Sequence, residues 1–332
     1  MAILGTADDL QRLEDTLLNT SGNVSLHKRF RALFTLKALK NDDAIRIISK
    51  GFTDSSVLLK HELAYCLGQM KQRAALPVLE SVLRDTSEDP MVRHEAAEAM
   101  GAISSQESIP ILQEFLSDPE RAVRETCEIA VARIEWENSE EGRKCLDETS
   151  SESHTPLYTS VDPAPATSSL LRGAAKPEDG SPSNIAALQH QLMDKSLHLF
   201  ERYRAMFALR NIGTPAAVTA LASGFSDDSA LFKHEIAFVF GQILSPDSVP
   251  SLLKVLQSPN ENDMVRHEAA EALGGIATPE VLPHLKEWMS REDSPRVVRE
   301  SCQVAVDIWE HENSGEFQYA DGLGATVTAV EA

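Results

Sequence analysis

Apolar residues along this chain gather into short amphipathic stretches that end at turn residues, and the stretches come in pairs. Leu36, Leu67 and Gly101 close successive similar helices, and Val92-Arg93 returns as Val123-Arg124 after 31 residues. Asp54 or Ser55 before Val57, Asp89 before Pro90, Asp227 or Asp228 before Leu231, and Asp263 before Met264 stand where the first free N–H groups of a helix need an acceptor, and are the expected N-caps. Two amphipathic stretches per 31 to 33 residues predict a row of helical hairpins.

Sliding the sequence over itself by 173 residues superimposes one half on the other. Phe30-Arg31-Ala32-Leu33-Phe34 falls on Tyr203-Arg204-Ala205-Met206-Phe207, Gly51-Phe52 on Gly224-Phe225, Gly68-Gln69 on Gly241-Gln242, and Met91-Val92-Arg93 on Met264-Val265-Arg266. After a two-residue slip, Val123-Arg124-Glu125 lands on Val298-Arg299-Glu300 and Cys127 on Cys302. One half is written twice. The expected fold class is all-α: a HEAT-like helical-hairpin solenoid in two pseudo-symmetric halves of about four hairpins each, facing one another. The expected boundaries are 1–136 for the N-terminal half, 137–185 for a linker, 186–312 for the C-terminal half and 313–332 for a tail. The linker is rich in Ser, Pro, Glu and Thr and lacks apolar periodicity. It is expected to be a flexible tether that lets the halves face each other, and the tail to be loose.

At 332 residues and 42% hydrophobic the chain can bury a sizeable core, and its few aromatics (5%) against many Leu and Ala favour helices. Lys plus Arg total 31 against 51 for Asp plus Glu, a net charge of -20. That is the wrong sign for a groove that tracks phosphates or for an anionic membrane surface, so no nucleic acid and no membrane are expected; a cationic partner fits. No basic segment precedes an apolar one at the N-terminus, and no apolar run approaches the roughly 20 residues of a membrane span, so a soluble, cytoplasmic protein is expected. Cys66, Cys127, Cys145 and Cys302 show no CxxC spacing and read as reduced, mostly buried small hydrophobes.

The candidate chemistry lies in four His-Glu pairs. His61-Glu62, His94-Glu95, His234-Glu235 and His267-Glu268 occupy the same point in the second and third repeats of each half: 94 − 61 and 267 − 234 are both 33, and 234 − 61 and 267 − 94 are both 173. Their number alone decides little, because 51 acids in 332 positions put an acid after about one histidine in six. A fifth pair, His311-Glu312, lies off the register, opposite Trp136-Glu137. Register carries the weight. The first and fourth repeats have Phe30-Arg31 and Glu125-Thr126 at this point, and the second half repeats the exception with Tyr203-Arg204 and Glu300-Ser301. A packing consensus would run through every repeat.

Neighbouring solenoid helices lie about 8–10 Å apart, so histidines at equal height on two of them can converge on one cation. Two facing halves then supply four imidazoles and four carboxylates, which suits two metal ions related by a pseudo-twofold axis. Adjacent helical residues point about 100° apart, so His and Glu of one pair need not bind the same ion. Each His pair is expected to hold one metal, with Glu62 and Glu235 reaching across or bridging and Glu95 and Glu268 facing substrate. Ligation by N and O alone suits iron or manganese. Gly68 and Gly241 lie on the faces of His61 and His234, where a missing side chain would admit substrate, and Met91 and Met264 are candidates for an apolar channel. Glu98 and Glu271, four residues after their histidines, form a rival carboxylate set or orient an imidazole.

The helices KHELAYCLGQM, DPMVRHEAAEAMGAI, LFKHEIAFVFGQ and DMVRHEAAEALGGI together resemble the deoxyhypusine hydroxylase family over both halves. The resemblance implies a monooxygenase that uses O2 and a non-haem di-iron centre, two Fe ions, to convert deoxyhypusine on a translation initiation factor to hypusine. It implies that His61, His94, His234 and His267, with Glu62 and Glu235, hold iron, while Glu95 and Glu268 meet the cationic amines of the substrate. A monomer would suffice. Two other classes stay open on the residues alone: a non-catalytic adaptor that grips a basic protein, and a HEAT-like lyase or metal-dependent hydrolase.

Overall fold

The computed structural model describes residues 6–149, 158, 160–166, 180–315 and 319–320, and among them it contains seventeen α-helices and no strand. The first half comprises α1 (Ala7–Leu17), α2 (Leu26–Leu39), α3 (Asp42–Lys50), α4 (Val57–Met70), α5 (Leu76–Arg84), α6 (Pro90–Ile103), α7 (Ile109–Glu114) and α8 (Arg121–Asn138). After α9 (Glu140–Thr149) the second half comprises α10 (Pro182–Met193), α11 (Leu199–Ile212), α12 (Pro215–Ala222), α13 (Ala230–Ile243), α14 (Val249–Gln257), α15 (Asp263–Ile276), α16 (Val281–Ser290) and α17 (Arg296–Glu312). Four hairpins per half result, as the repeat period predicts.

The second helix of each hairpin packs beside the second helix of the next, so α2, α4, α6 and α8 form one inner row and α11, α13, α15 and α17 another. The rows join at both ends, α8 against α11 and α17 against α2, and the eight inner helices close into a ring. The closing contacts repeat under the duplication. Ser56 donates to Glu300 (2.7 Å) at one seam and Ser229 to Glu125 (2.6 Å) at the other, while Arg296 donates to the Ser55 carbonyl and Arg121 to Asp228. Glu125 and Glu300 are the residues that replace His-Glu in the fourth repeats. Ring closure therefore explains the exception in the fourth repeats.

Small residues let the inner helices approach closely. A Cβ on Gly68 would sit 2.7 Å from the Ala99 Cα, one on Gly101 3.0 Å from the Ala130 Cα, and one on Gly274 2.7 Å from the Ala305 Cα. The inner helices begin one residue away from three of the four expected caps. Ser56, Ser229 and Asn262 accept the first-turn N–H groups in place of Asp54 or Ser55, Asp227 or Asp228, and Asp263; Asp89 caps α6 as expected. Two of the displaced aspartates, Asp54 and Asp227, have other work, which Asp118 shares. Arg29, Arg93 and Arg202 each donate Nε to a carbonyl of the preceding outer helix, at Leu17, Leu83 and Leu192, and a second nitrogen to the aspartate 25 residues on, Asp54, Asp118 or Asp227. Each aspartate also accepts the backbone N–H two residues later. One buried ion pair thus ties three consecutive segments together.

The span 137–185 differs from the expected tether. Residues 137 and 138 complete α8, α9 follows, α10 starts at Pro182, and residues 160–166 lie against both halves with Ala164 fully buried. The periodicity that marks a packed helix is no guide to an extended segment held by hydrogen bonds, which is why the sequence left this docking unseen. In the tail, Tyr319 packs its ring on Phe34 (6.0 Å between centroids) and His311 (5.4 Å), at the end of α17. The rest of the expected linker and tail, residues 150–157, 159, 167–179, 316–318 and 321–332, lies outside the described residues. Among the described residues no helix is long and apolar enough to cross a membrane. Cys66, Cys127 and Cys302 are buried free thiols, and Cys145 is half-buried.

Candidate metal centre

The four His-Glu pairs sit on α4, α6, α13 and α15, the middle helices of each row, and all four histidines are at most 4% exposed. Imidazole centroids within a half are 5.5 Å apart for His61 and His94 and 5.2 Å for His234 and His267. Across the halves the spacing is the same: 5.8 Å from His61 to His234, 5.1 Å from His61 to His267, and 5.6 Å from His94 to His234. The ring therefore gathers one four-histidine cluster in place of two separate pairs. Ligating atoms within 4.8 Å of one another form three groups: His61, His94 and His234; His234, His267 and Glu268; and His94, Glu95 and Glu98. The first of these mixes the halves.

Both nitrogens of all four imidazoles are buried without a hydrogen-bond partner. The Glu95 carboxylate comes within 3.2 Å of His61 Nε2 and that of Glu268 within 3.4 Å of His234 Nε2, close but out of hydrogen-bonding direction. In each half the carboxylate of the third repeat thus reaches back to the histidine of the second. Burial pushes the Glu62 carboxyl up to about 7 and those of Glu95 and Glu98 up to about 8, and raises Glu235 and Glu271 well above the usual range. Burial also lowers His61, His94 and His267. A divalent metal at this cluster would be ligated by the buried imidazoles and would ionise the raised carboxyls. The donor set, nitrogen and oxygen without thiolate, fits iron.

A cavity of about 310 Å³ opens onto this cluster. Its inner surface carries six carboxylates, Glu62, Glu95, Glu98, Glu235, Glu268 and Glu271, and its walls are Phe34, Tyr65 and Phe238. Tyr65 and Phe238, one turn beyond Glu62 and Glu235, meet edge to face across the ring at 6.0 Å.

Models of HEAT repeats match residues 45–132, 83–150 and 220–306, and a PBS lyase HEAT-like repeat matches 201–227. A deoxyhypusine hydroxylase of Lentinula edodes is 71% identical over 325 residues, 98% of each chain, and that of Mus musculus is 48% identical over 318 residues, 96% of this chain and 97% of the other. The solved structure of human deoxyhypusine hydroxylase in complex with glycerol superimposes with a TM-score of 0.79 at 46% identity, covering 92% of this chain and 96% of that one. This chain belongs to the deoxyhypusine hydroxylase family.

Within the hydroxylase fold the remaining candidates divide. Gly241 lines the cavity. Its counterpart Gly68 is pressed against Ala99 of α6, so the space expected for substrate is filled by helix packing. Met91 and Met264 line a different cavity of about 660 Å³, at the N-terminal ends of the same inner helices. They do not reach the carboxylate-lined one. Sequence reasoning passed over Phe34, Lys37 and the pair Gln69 and Gln242. The signal was present, since Phe34 and Phe207, Lys37 and Arg210, and the two glutamines are all related by the same shift of 173.

Proposed function

We propose that this chain hydroxylates the deoxyhypusine side chain of a translation initiation factor to hypusine, using O2 and two iron ions held at the histidine cluster. The observation that carries the reading is the set of eight buried imidazole nitrogens without partners, in a cluster whose His61 and His234 line a cavity together with six carboxylates. His61, His94, His234 and His267 would hold the metal, joined by Glu95 and Glu268, whose oxygens lie closest to imidazole nitrogens. Glu62 and Glu235 would meet the substrate amines. This exchanges the two carboxylate pairs relative to the expectation from sequence. The reason is rotational: which of two adjacent residues points at the cluster depends on how the ring sets each helix, and neither Glu62 nor Glu235 falls in a group of converging ligand atoms.

When bound, iron supplies the activation of O2. The chain's own residues do the rest. Phe34, Tyr65 and Phe238 pack against the methylenes of the extended side chain and keep water from the reacting carbon. Glu62 and Glu235, with Glu98 and Glu271 beside them, accept charge-assisted hydrogen bonds from the substrate ammonium groups. Amines fixed at two points hold one carbon of the chain over the cluster. Iron quantitation of the purified protein, with mass analysis of the factor for the gain of one oxygen atom, tests the reading. Metal-free protein that binds the factor at full strength would favour an adaptor instead.

A further inference from the structure

Duplication produces every feature of the ring twice, including the approach to the histidine cluster. Phe34 and Lys37 on α2 flank one approach, and Phe207 and Arg210 on α11 flank its counterpart. Among the described residues only the first opens onto the cavity. The cavity is lined by Phe34, Ala272 and Ile308 and by none of their counterparts Phe207, Ala99 and Arg133.

The second approach is filled from within the chain. The Val161 N–H donates to Gln69 Oε1 (2.7 Å) and its carbonyl accepts from Gln69 Nε2 (3.3 Å). Gln242 Nε2 donates to the Ser160 hydroxyl (2.7 Å), and Arg210 donates both terminal nitrogens to Asp162 (2.7 Å each) and one to Gln242 Oε1 (2.7 Å). Tyr158 covers the Arg210 guanidinium at 4.2 Å, and Pro163 and Ala164 are buried beneath. Gln69 and Gln242 stand seven residues beyond Glu62 and Glu235, on the same faces of α4 and α13. The segment therefore spans the ring from one half to the other just outside the carboxylates. Two prolines in Val161-Asp162-Pro163-Ala164-Pro165-Ala166 stiffen it and reduce the entropy lost on docking. At the open approach Lys37, the counterpart of Arg210, rests on the rings of Phe34 (4.4 Å) and Tyr65 (5.4 Å).

We propose that residues 160–166 form an internal plug that occupies one of the two approaches made by the duplication, leaving the Phe34–Lys37 mouth as the single entrance for the substrate side chain. The plug gives a site of near-twofold symmetry a direction. A substrate with distinguishable ends, a side chain rooted in a protein and tipped by an amine, can then bind in one sense only. What enters rests on the hydroxylase reading, whereas the plug rests on the contacts above.

The full-length protein, loaded with iron, tests it with a benzophenone amino acid placed at Lys37 in one variant and at Tyr158 in another. Irradiation with the deoxyhypusine-bearing factor should yield a covalent adduct from position 37 and none from position 158. An adduct from position 158, alone or together with position 37, overturns the single entrance. A second measurement needs no substrate. Ala164→Cys should resist maleimide, and adding Arg210→Ala should abolish that protection; equal labelling of the two proteins overturns the plug. If wild-type protein adds no oxygen to the factor, the hydroxylase reading falls while the labelling result stands by itself.

Discussion

Removing metal from the histidine cluster should cost the protein stability as well as activity, and the size of the effect follows from its unpaired atoms. Each neutral imidazole has one N–H donor and one acceptor nitrogen, and all eight atoms are buried without a hydrogen bond. Leaving a buried polar group unsatisfied costs about 1–3 kcal/mol, so the metal-free fold carries several such penalties at one place. A metal that binds only the folded chain returns ~4 kcal/mol at a thousandfold excess over its dissociation constant. For a chain of 332 residues 1 kcal/mol moves Tm by about 1.5 °C, and each bound iron should therefore raise it by about 6 °C. Circular dichroism melts of chelated and anaerobically iron-loaded protein measure the difference. His61→Leu sharpens the test, because it replaces an unsatisfied ring with an apolar group of similar volume. Its chelated form should melt no lower than chelated wild type, while its gain on iron addition shrinks. Coincident melts of chelated and loaded wild type would refute the reasoning. So would a chelated His61→Leu protein that melts several degrees lower.

The two carboxylate pairs should separate by phenotype: Glu95→Gln and Glu268→Gln lose iron, whereas Glu62→Gln and Glu235→Gln retain it and lose turnover, as read by iron per chain beside product mass. Asp118→Ala strands the Arg93 guanidinium, whose side chain is 2% exposed, and should destabilise the fold by about 3–5 kcal/mol in urea melts. The thiols of Cys127 and Cys302 are pushed up to about 12 by burial. At pH 8 they lie well below that value and stay protonated, with on the order of one thiolate in ten thousand. Intact mass after iodoacetamide treatment should show both unmodified in folded protein and alkylated in denaturant.

Much of the fold was legible because a repeat protein writes its packing periodically. Hairpin number and the exceptional status of the terminal repeats all followed from the shift of 173 and the period near 33. Ring closure was not legible in advance, since Ser56 and Glu300 are 244 residues apart and a single hydrogen bond between small polar groups leaves no pattern. The buried Arg-Asp ties did leave one, a spacing of 25 repeated at Arg29, Arg93 and Arg202. It is masked at Asp54 and Asp227, which also stand where helix caps are expected. The histidines could be found because register alone identifies them. The roles of adjacent Glu62 and Glu95 could not, because they depend on the rotation of α4 and α6 about their own axes. Gly68 and Gly241 divided for a related reason: equal in sequence, they differ in how tightly the neighbouring helix is pressed against them.

The paired seams carry a last implication. Ser56 meets Glu300 at one seam and Ser229 meets Glu125 at the other, so a patch near the start of each half binds the end of its sibling, the reciprocity that a twofold dimer of identical subunits requires. Fusing such a dimer into one polypeptide keeps the closed architecture and frees each copy to change alone. Arg31 has used that freedom, pairing with Asp307, whereas its sibling Arg204 finds Ala132 at the corresponding position and lies near the Trp136 ring instead. A homodimer must make both of its entrances alike; a fused chain can give them different fates.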